Sequence, residues 1–488
     1  VTTLALYATV LGILTLASVM VSRTSNRVGL PVLLAFLALG ILAGEEGLLR
    51  FGFSNYRLSF DLSSIALVLI LFDGGLNTAA ERIRFALWPS LVLATAGVAI
   101  TAGALALSAR WFLPAWTDAL LLGSILSSTD AAAVFSILRG SGIRLKGGTG
   151  TVLEVESGLN DPMAFLLTAA FTQALVEHHP LGYADALQIP LALVVGGALG
   201  LAIGWIGRIV LRIVRPPVGG LFPLLTLAIA LVSFGMPTLV GGSGFLAAYL
   251  AGAVIGNGPM PYSGGIKRVH DSTAWLAQVL MFLLLGLLVT PSLMVGAWRA
   301  GLVVAICLVF IARPLAVAIC LLPFRYRLRE VTFIGWAGLR GAVPIVLAIY
   351  PVMAGASGAE HMFNIVFFVV VANTIIPGSM VGRVARWLGL ASDEPLPPPG
   401  ILEISSPEIL SGGEISSYSV DRSSAVAGAK VSDLELPSGC SLILVIRNRT
   451  IIAPNGATVL ELEDHVYVLC RPEDMPYIHL IFGRHESD

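Results

Sequence analysis

The chain of 488 residues is 56% hydrophobic and only 12% charged, with a mean hydropathy of +0.88. A soluble globular protein carries about twice that charged fraction, so a wholly soluble fold is excluded and much of the length belongs in lipid. The net charge of −1 conceals an asymmetry: residues 1–388 hold 23 Lys and Arg against 15 Asp and Glu, whereas residues 389–488 hold 6 against 15. Two different objects join near residue 390.

A membrane-spanning helix needs about 20 predominantly apolar residues. By that ruler there are thirteen candidate spans, near 3–22, 29–44, 58–77, 85–109, 117–138, 149–176, 189–213, 221–236, 241–257, 272–290, 297–321, 330–353 and 361–387. The first apolar run continues straight into this pattern, which argues against a cleavable signal peptide. Loop charge sets the orientation. One set of alternate loops holds 17 Lys and Arg, among them Arg82, Arg84, Arg139, Arg144, Lys146, Arg325, Arg327 and Arg329, against 4 in the other set (Arg50, Arg57, Arg110 and Arg299). The expected topology has the N-terminus outside and the acidic C-terminal segment in the cytoplasm.

Beyond the last span, residues 389–400 read as a stiff Pro-rich linker running from Ala391 through Pro395 and Pro397-Pro398-Pro399 to Gly400. Residues 401–488 read as a small soluble α+β domain. Ser441–Arg447 and His465–Cys470 have the pattern of strands, Pro454-Asn455-Gly456 marks a turn, and a short helix follows from Glu473. Cys307, Cys320, Cys440 and Cys470 show no metal-ligand spacing and read as reduced thiols. No Walker A loop, HExxH or GxSxG setting is present, so enzyme chemistry finds no support, and no resident cofactor is expected. Nothing in the pattern points to nucleic acid.

The chemistry concentrates between Leu126 and Pro162. A charge near the bilayer centre is expensive, about 2.5–3.5 kcal/mol on insertion scales, so intramembrane carboxylates default to ion pathways and proton relays. At about 1.5 Å of helical rise per residue, Asp73, Asp130, Asp161 and Arg340 all fall near the middle third of the hydrocarbon core. The fifth span is interrupted by Ser127-Ser128-Thr129-Asp130, and the twelfth by Gly338-Leu339-Arg340-Gly341-Ala342-Val343-Pro344. A pair of broken helices in corresponding halves is a pointer to a transporter's binding site.

Asp161, between Asn160 and the helix-weakening Pro162, is the first candidate to hold a cation and a proton in alternation, with Ser157 one turn away and Thr129 as further oxygen donors. The bland reading of Asp161 is a pairing with a basic residue that holds helices together. Asp130 and Arg340 suit the charged ends of the half-helices and are equally readable as structural. Glu154 shares the face of Asp161 and could line an entrance, or be a solvated helix-end charge. Glu156 is turned about 140° away and is free to pair with another helix, Arg340 being the obvious partner. Asp73 is a candidate fourth oxygen donor or an access-path residue, and Arg313, just before Pro314, reads as snorkelling or binding a lipid headgroup.

Three linked motifs then resemble a known family. Ser128-Thr129-Asp130-Ala131-Ala132-Ala133, Glu156-Ser157-Gly158-Leu159-Asn160-Asp161-Pro162 and Gly338-Leu339-Arg340-Gly341-Ala342-Val343-Pro344 resemble the monovalent cation/proton antiporters, within them the NhaP-type branch. Residues 401–485, with Leu436-Pro437-Ser438-Gly439, Arg447 and Pro454-Asn455-Gly456-Ala457-Thr458, are similar to TrkA-C (RCK-C) regulatory domains.

The resemblance implies an all-α membrane fold of about thirteen helices with inverted repeats, a homodimer, and a core domain that moves between sides. It implies ion-site positions at Thr129, Ser157, Asp161 and Asp73, an ion pair of Glu156 with Arg340, and electroneutral exchange at a single titrating Asp. The expected function is therefore K⁺/H⁺ antiport in a bacterial inner membrane, with Na⁺/H⁺ exchange as one alternative. A ligand-regulated cation channel is another, although no filter-like run of carbonyls is visible. Expected partners are the lipid bilayer, a second copy, and a small regulatory ligand of unread identity on the cytoplasmic domain.

Overall fold

A computed structural model describes residues 2–28, 32–146, 148–178, 182–214, 216, 218–258, 260–392, 414–420, 424, 426–447, 450–470 and 474–482. The chain divides into two compact units, residues 1–393 and 394–488.

The first unit is helical. In order it holds α1 (Thr2–Val28), α2 (Val32–Ala43), α3 (Tyr56–Asn77), α4 (Ala80–Val92), α5 (Val98–Ala109), α6 (Trp116–Ile125), α7 (Ala131–Gly140), the short strand β1 (Arg144–Leu145), α8 (Thr149–Val176), α9 (Tyr183–Ile213), α10 (Leu221–Leu239), α11 (Gly244–Gly256) and α12 (Ser263–Leu287). There follow α13 (Pro291–Gly296), α14 (Trp298–Cys307), α15 (Arg313–Leu321), α16 (Leu328–Trp336), α17 (Ala342–Met353), α18 (Ala359–Trp387) and the strand β2 (Ala391–Ser392). A π-helical turn at Leu93–Gly97 joins α4 to α5, and another at Leu308–Ala312 joins α14 to α15. Every stretch read as a span is met by a helix or by two half-helices. By length and composition alone, seven of the described helical segments suffice to cross a bilayer, from Tyr56–Asn77 to Ala359–Trp387.

Burial separates the helices. Within those seven, α18 is 61% buried over its apolar window, against 28% for α9 and α10. A helix that is apolar all round and largely covered belongs to the core, whereas α9 and α10 present apolar surface outward, such as Leu191, Val194, Trp205 and Val232, as lipid-facing helices do. The main core gathers side chains from α3, α6, α8, α17 and α18, including Val68, Leu122, Val152, Ile345 and Phe367, all essentially inaccessible. In this dry environment every backbone polar group needs an internal partner, which makes the two non-helical interruptions the costly features of the fold.

One expectation fails just after the last helix. Ala391 and Ser392, expected in the Pro-rich linker, instead form β2, antiparallel to β1, with Arg144 opposite Ser392 and Leu145 opposite Ala391. Lys146 N–H donates to the Leu390 carbonyl at 2.8 Å and extends the pairing. The segment is too short to be recognised by strand periodicity, and its partner lies far away in sequence. The rest of that linker, from residue 393, and residues 401–413 lie outside the described residues.

The second unit is a four-stranded antiparallel sheet in the order β3-β6-β4-β5, with β3 Glu414–Ser419, β4 Ser441–Arg447, β5 Thr450–Ile452 and β6 His465–Cys470, followed by α19 (Met475–Phe482). Tyr418, Val445, Val466, Val468, Ile478 and Phe482 form its core. Arg447 closes one end: Nε and Nη2 donate to the two oxygens of the buried Asp464 at 2.8 Å, and Nη1 donates to Glu461. The strands β4 and β6 coincide with those read from the sequence, and α19 begins two residues after Glu473. β3 and β5 are not foreseen, because Glu-Ile-Ser-Ser-Tyr-Ser and a three-residue run carry little apolar alternation of their own.

Candidate ion-binding site

The site begins with a helix carrying more polar side chains than its surroundings can easily tolerate. On α8, Glu156 and Asn160 are fully buried and Asp161 is 6% exposed. Helical spacing sets Ser157 and Asp161 on one side of α8, one turn apart. Both point to the interruption between α6 and α7, residues 126–130.

That interruption leaves carbonyls and N–H groups without helical partners, and α8 supplies them. Ser157 Oγ donates to the Thr129 carbonyl (2.9 Å) and accepts from Ala131 N–H (3.1 Å). Asn160 Nδ2 donates to Thr129 Oγ1 (2.5 Å). Asp130 caps α7, its carboxylate accepting from Ala133 N–H at 3.0 Å, as the positive end of a half-helix favours. Ser128 Oγ donates to Asp161 Oδ1 at 2.5 Å. Ser128, Thr129, Asp130, Ser157, Asn160 and Asp161 thus form one polar cluster.

The second interruption, residues 337–341 between α16 and α17, crosses the first. Asp130 N–H donates to the Leu339 carbonyl at 2.8 Å. The approach depends on Gly341: a β-carbon there would run into the Asp130 carboxylate. α18 holds the backbone of this break. Asn373 Oδ1 accepts from Arg340 N–H (2.8 Å), and Thr374 Oγ1 donates to the Arg340 carbonyl (3.0 Å). The Arg340 guanidinium turns back on its own segment, with Nη1 donating to the Gly338 carbonyl at 3.0 Å. Arg340 is inaccessible to solvent, and its Nε and Nη2 have no hydrogen-bond partner among the described residues.

The expected ion pair is corrected here. Glu156 pairs with Arg313, not with Arg340, through two parallel bonds of 2.7 Å, both side chains being at most 2% exposed. Arg313 is consequently neither a snorkelling residue nor a lipid contact. The π-helical turn at Leu308–Ala312 ends directly before Arg313 and resets the face that α15 presents. Gly338 leaves room beside it, since a β-carbon there would press on the Arg313 side chain. Regular helical phasing could not foresee either feature.

Asp73 is not brought into the hydrogen-bonded cluster. Its carboxylate accepts from Asn77 Nδ2 at 2.9 Å, and its electrostatic partners are Asp271 and Lys267 on α12. Glu154 is partly exposed, and its charge acts on Tyr249 of α11. Ser128, Asn373 and Thr374 lie outside the expected set of site residues. Ser128 stands inside a motif that the sequence does single out, whereas Asn373 and Thr374 give no signal beyond being polar in an apolar helix.

Comparison with known proteins adds to this geometry. Residues 13–387 match the sodium/hydrogen exchanger transmembrane family, and residues 415–483 match the TrkA-C domain. The chain is 41% identical to a protein of Alkalimonas amylolytica named K(+)/H(+) antiporter NhaP, over 97% of this chain and 83% of that protein. It is 40% identical to one of Shewanella oneidensis named K(+)/H(+) antiporter NhaP2, over 97% and 82%. A Synechocystis protein named Na(+)/H(+) antiporter NhaS2 is 27% identical over 68% and 62%. Among solved structures, the sodium proton antiporter MjNhaP1 of Methanocaldococcus jannaschii superposes with a TM-score of 0.66 at 22% identity, over 78% of this chain and 99% of that one, a likeness of fold.

Proposed function

Because the chain belongs to the sodium/hydrogen exchanger family, we propose that it is a membrane antiporter exchanging K⁺ for protons, with Asp161 as the group that holds either one. The observation that carries this reading is a buried carboxylate, hydrogen-bonded by Ser128, where two broken helices cross. The freed backbone and hydroxyl oxygens around it are the kind a hard monovalent cation needs in place of water.

Charge accounting supports electroneutral exchange. Asp130, Glu156 and Asp161 stand against Arg313 and Arg340, and arginine stays protonated, so the cluster is short of one positive charge. One proton or one monovalent cation at Asp161 completes it. Either loaded form then crosses without net charge, while the empty form strands a charge in a dry core and is the poor traveller. Exchange follows from that difference, and no covalent chemistry takes place.

K⁺ is favoured over Na⁺ by the function that names the relatives near 40% identity. The loop-charge pattern supports an N-terminus outside and a cytoplasmic C-terminal unit in a bacterial inner membrane. A homodimer and a small-molecule regulator of the TrkA-C domain belong to the same proposal.

The test is dissipation of a pH gradient in proteoliposomes, with K⁺ and Na⁺ added separately, for the wild type and Asp161→Asn. The expected result is K⁺-driven proton movement that persists under a clamped membrane potential and is abolished in the variant. Activity with Na⁺ alone would reassign the cargo, and equal activity in Asp161→Asn would sink the central claim.

A further inference from the structure

Resting on that exchange reading, we infer that Ser128 is a direct ligand of the transported cation. Its hydroxyl proton lies on Asp161 when the cation is away, and its oxygen turns to the cation when one arrives.

The other hydroxyls of the cluster already hold partners, while Asn160 Oδ1 is buried with no hydrogen-bond partner among the described residues and is a further acceptor for a cation. Ser157 Oγ donates to the Thr129 carbonyl and accepts from Ala131 N–H, and Thr129 Oγ1 accepts from Asn160. Turning either hydroxyl would undo the splint that holds the first break and orphan a polar group in a dry core, so each can offer a cation only the lone pair it has left. Ser128 is different. Its hydroxyl makes one hydrogen bond among the described residues, to Asp161 Oδ1 at 2.5 Å, and the side chain is 1% exposed. It splints no part of the backbone.

A hydroxyl carries one donor and two acceptor lone pairs. While Ser128 donates to Asp161, its proton occupies a place on the carboxylate that an arriving cation needs. Rotation about a single bond removes the proton and presents a lone pair to that same place. The carboxylate exchanges a hydrogen bond for an ion contact, and the ion gains a second protein oxygen without any change in the backbone. Of the hydroxyls here, Ser128 is the one whose turning leaves the backbone splint of the first break intact.

The experiment compares K⁺ with thallous ion, a similar-sized but softer cation, in the same pH-gradient assay. Ser128→Ala is expected to raise the apparent KM for both ions about tenfold, with Vmax changed less. Ser128→Thr, which keeps the hydroxyl, should stay near the wild type. Ser128→Cys supplies the discriminating readout, because sulfur favours soft over hard cations. If position 128 ligates the ion, the introduced sulfur lowers the KM for thallous ion relative to that for K⁺ by several-fold against the wild-type ratio. A positioning role would shift both ions equally, so an unchanged ratio in the Ser128→Cys variant, or an unchanged KM in Ser128→Ala, overturns the ligand role alone. A wild type with no cation-driven exchange overturns the exchange reading and this inference with it.

Discussion

The two helix interruptions are alike in backbone and opposite in chemistry. Each replaces about one turn of helix in the middle of an apolar element, and they touch through Asp130 N–H and the Leu339 carbonyl. The first, at 126–130, is splinted by hydroxyls and an amide and gathers oxygen around Asp161. The second, at 337–341, is splinted from α18 by Asn373 and Thr374 and gathers guanidinium groups, Arg340 within it and Arg313 against Gly338. Unwinding a helix therefore does not make an ion site by itself. The side chains that repair the unwinding decide whether the break attracts a cation or supplies the fixed positive charge that balances the cluster.

The largest effect should come from the positive side. Removing Arg313 leaves Glu156 buried and uncompensated, which costs about 3–5 kcal/mol. Arg313→Ala is therefore expected to lower the melting temperature in detergent far more than Arg340→Ala, whose guanidinium has no carboxylate partner among the described residues. Converting both Glu156 and Arg313 to leucine should recover most of the loss. The reverse ranking of the two arginine variants would restore Arg340 as the partner.

An intermediate effect is expected where the breaks meet. Gly341→Ala drives a β-carbon into the Asp130 carboxylate, an overpacking of about 1–3 kcal/mol, and should remove transport even where protein folds. Gly235→Ala, with open space around it on α10, serves as the control and should leave melting temperature and exchange unchanged. Equal behaviour of the two would mean that the breaks need not touch.

The smallest effect tests the oxygen side. Asp130 acts as the cap of α7, and asparagine caps nearly as well as aspartate, so Asp130→Asn should change stability by only a few tenths of a kcal/mol, whereas Asp130→Ala costs about 1 kcal/mol. Thermal melts of the two variants check the ranking. Loss of electroneutral exchange in Asp130→Asn at unchanged melting temperature is expected if its charge belongs to the balance of the cluster.

Much of this is legible in the sequence. Apolar runs locate the helices, and Ser127–Asp130 and Gly338–Pro344 announce the breaks, because Gly, Pro and clustered polar residues seldom sit inside such runs without interrupting the helix. The group Thr129, Asp130, Ser157, Asn160 and Asp161 can be named because those residues lie in two neighbouring segments with helical spacing. Partners across distant segments are harder. Glu156 visibly needs a cation, but choosing Arg313 over Arg340 requires the phase of α15 after a π-helical turn. Depth along a helix says nothing about lateral position, so the hydrogen bond of Asp73 to Asn77 and its charged neighbours on α12 could not be read from it. Asn373 and Thr374 repair a break that lies 33 and 34 residues away, a relation no local pattern contains.

The small pairing of Ala391–Ser392 with Arg144–Leu145 has a mechanical meaning. Among the described residues, backbone pairing continues past Trp387, where the hydrophobicity of the last helix ends, to Ser392. Those bonds fasten the outgoing chain to the loop between α7, which Asp130 caps, and α8, which carries Asp161. Tension applied along the chain beyond Ser392 is therefore not absorbed by α18 alone. The β1–β2 seam works as a tendon inserted on the loop between α7 and α8.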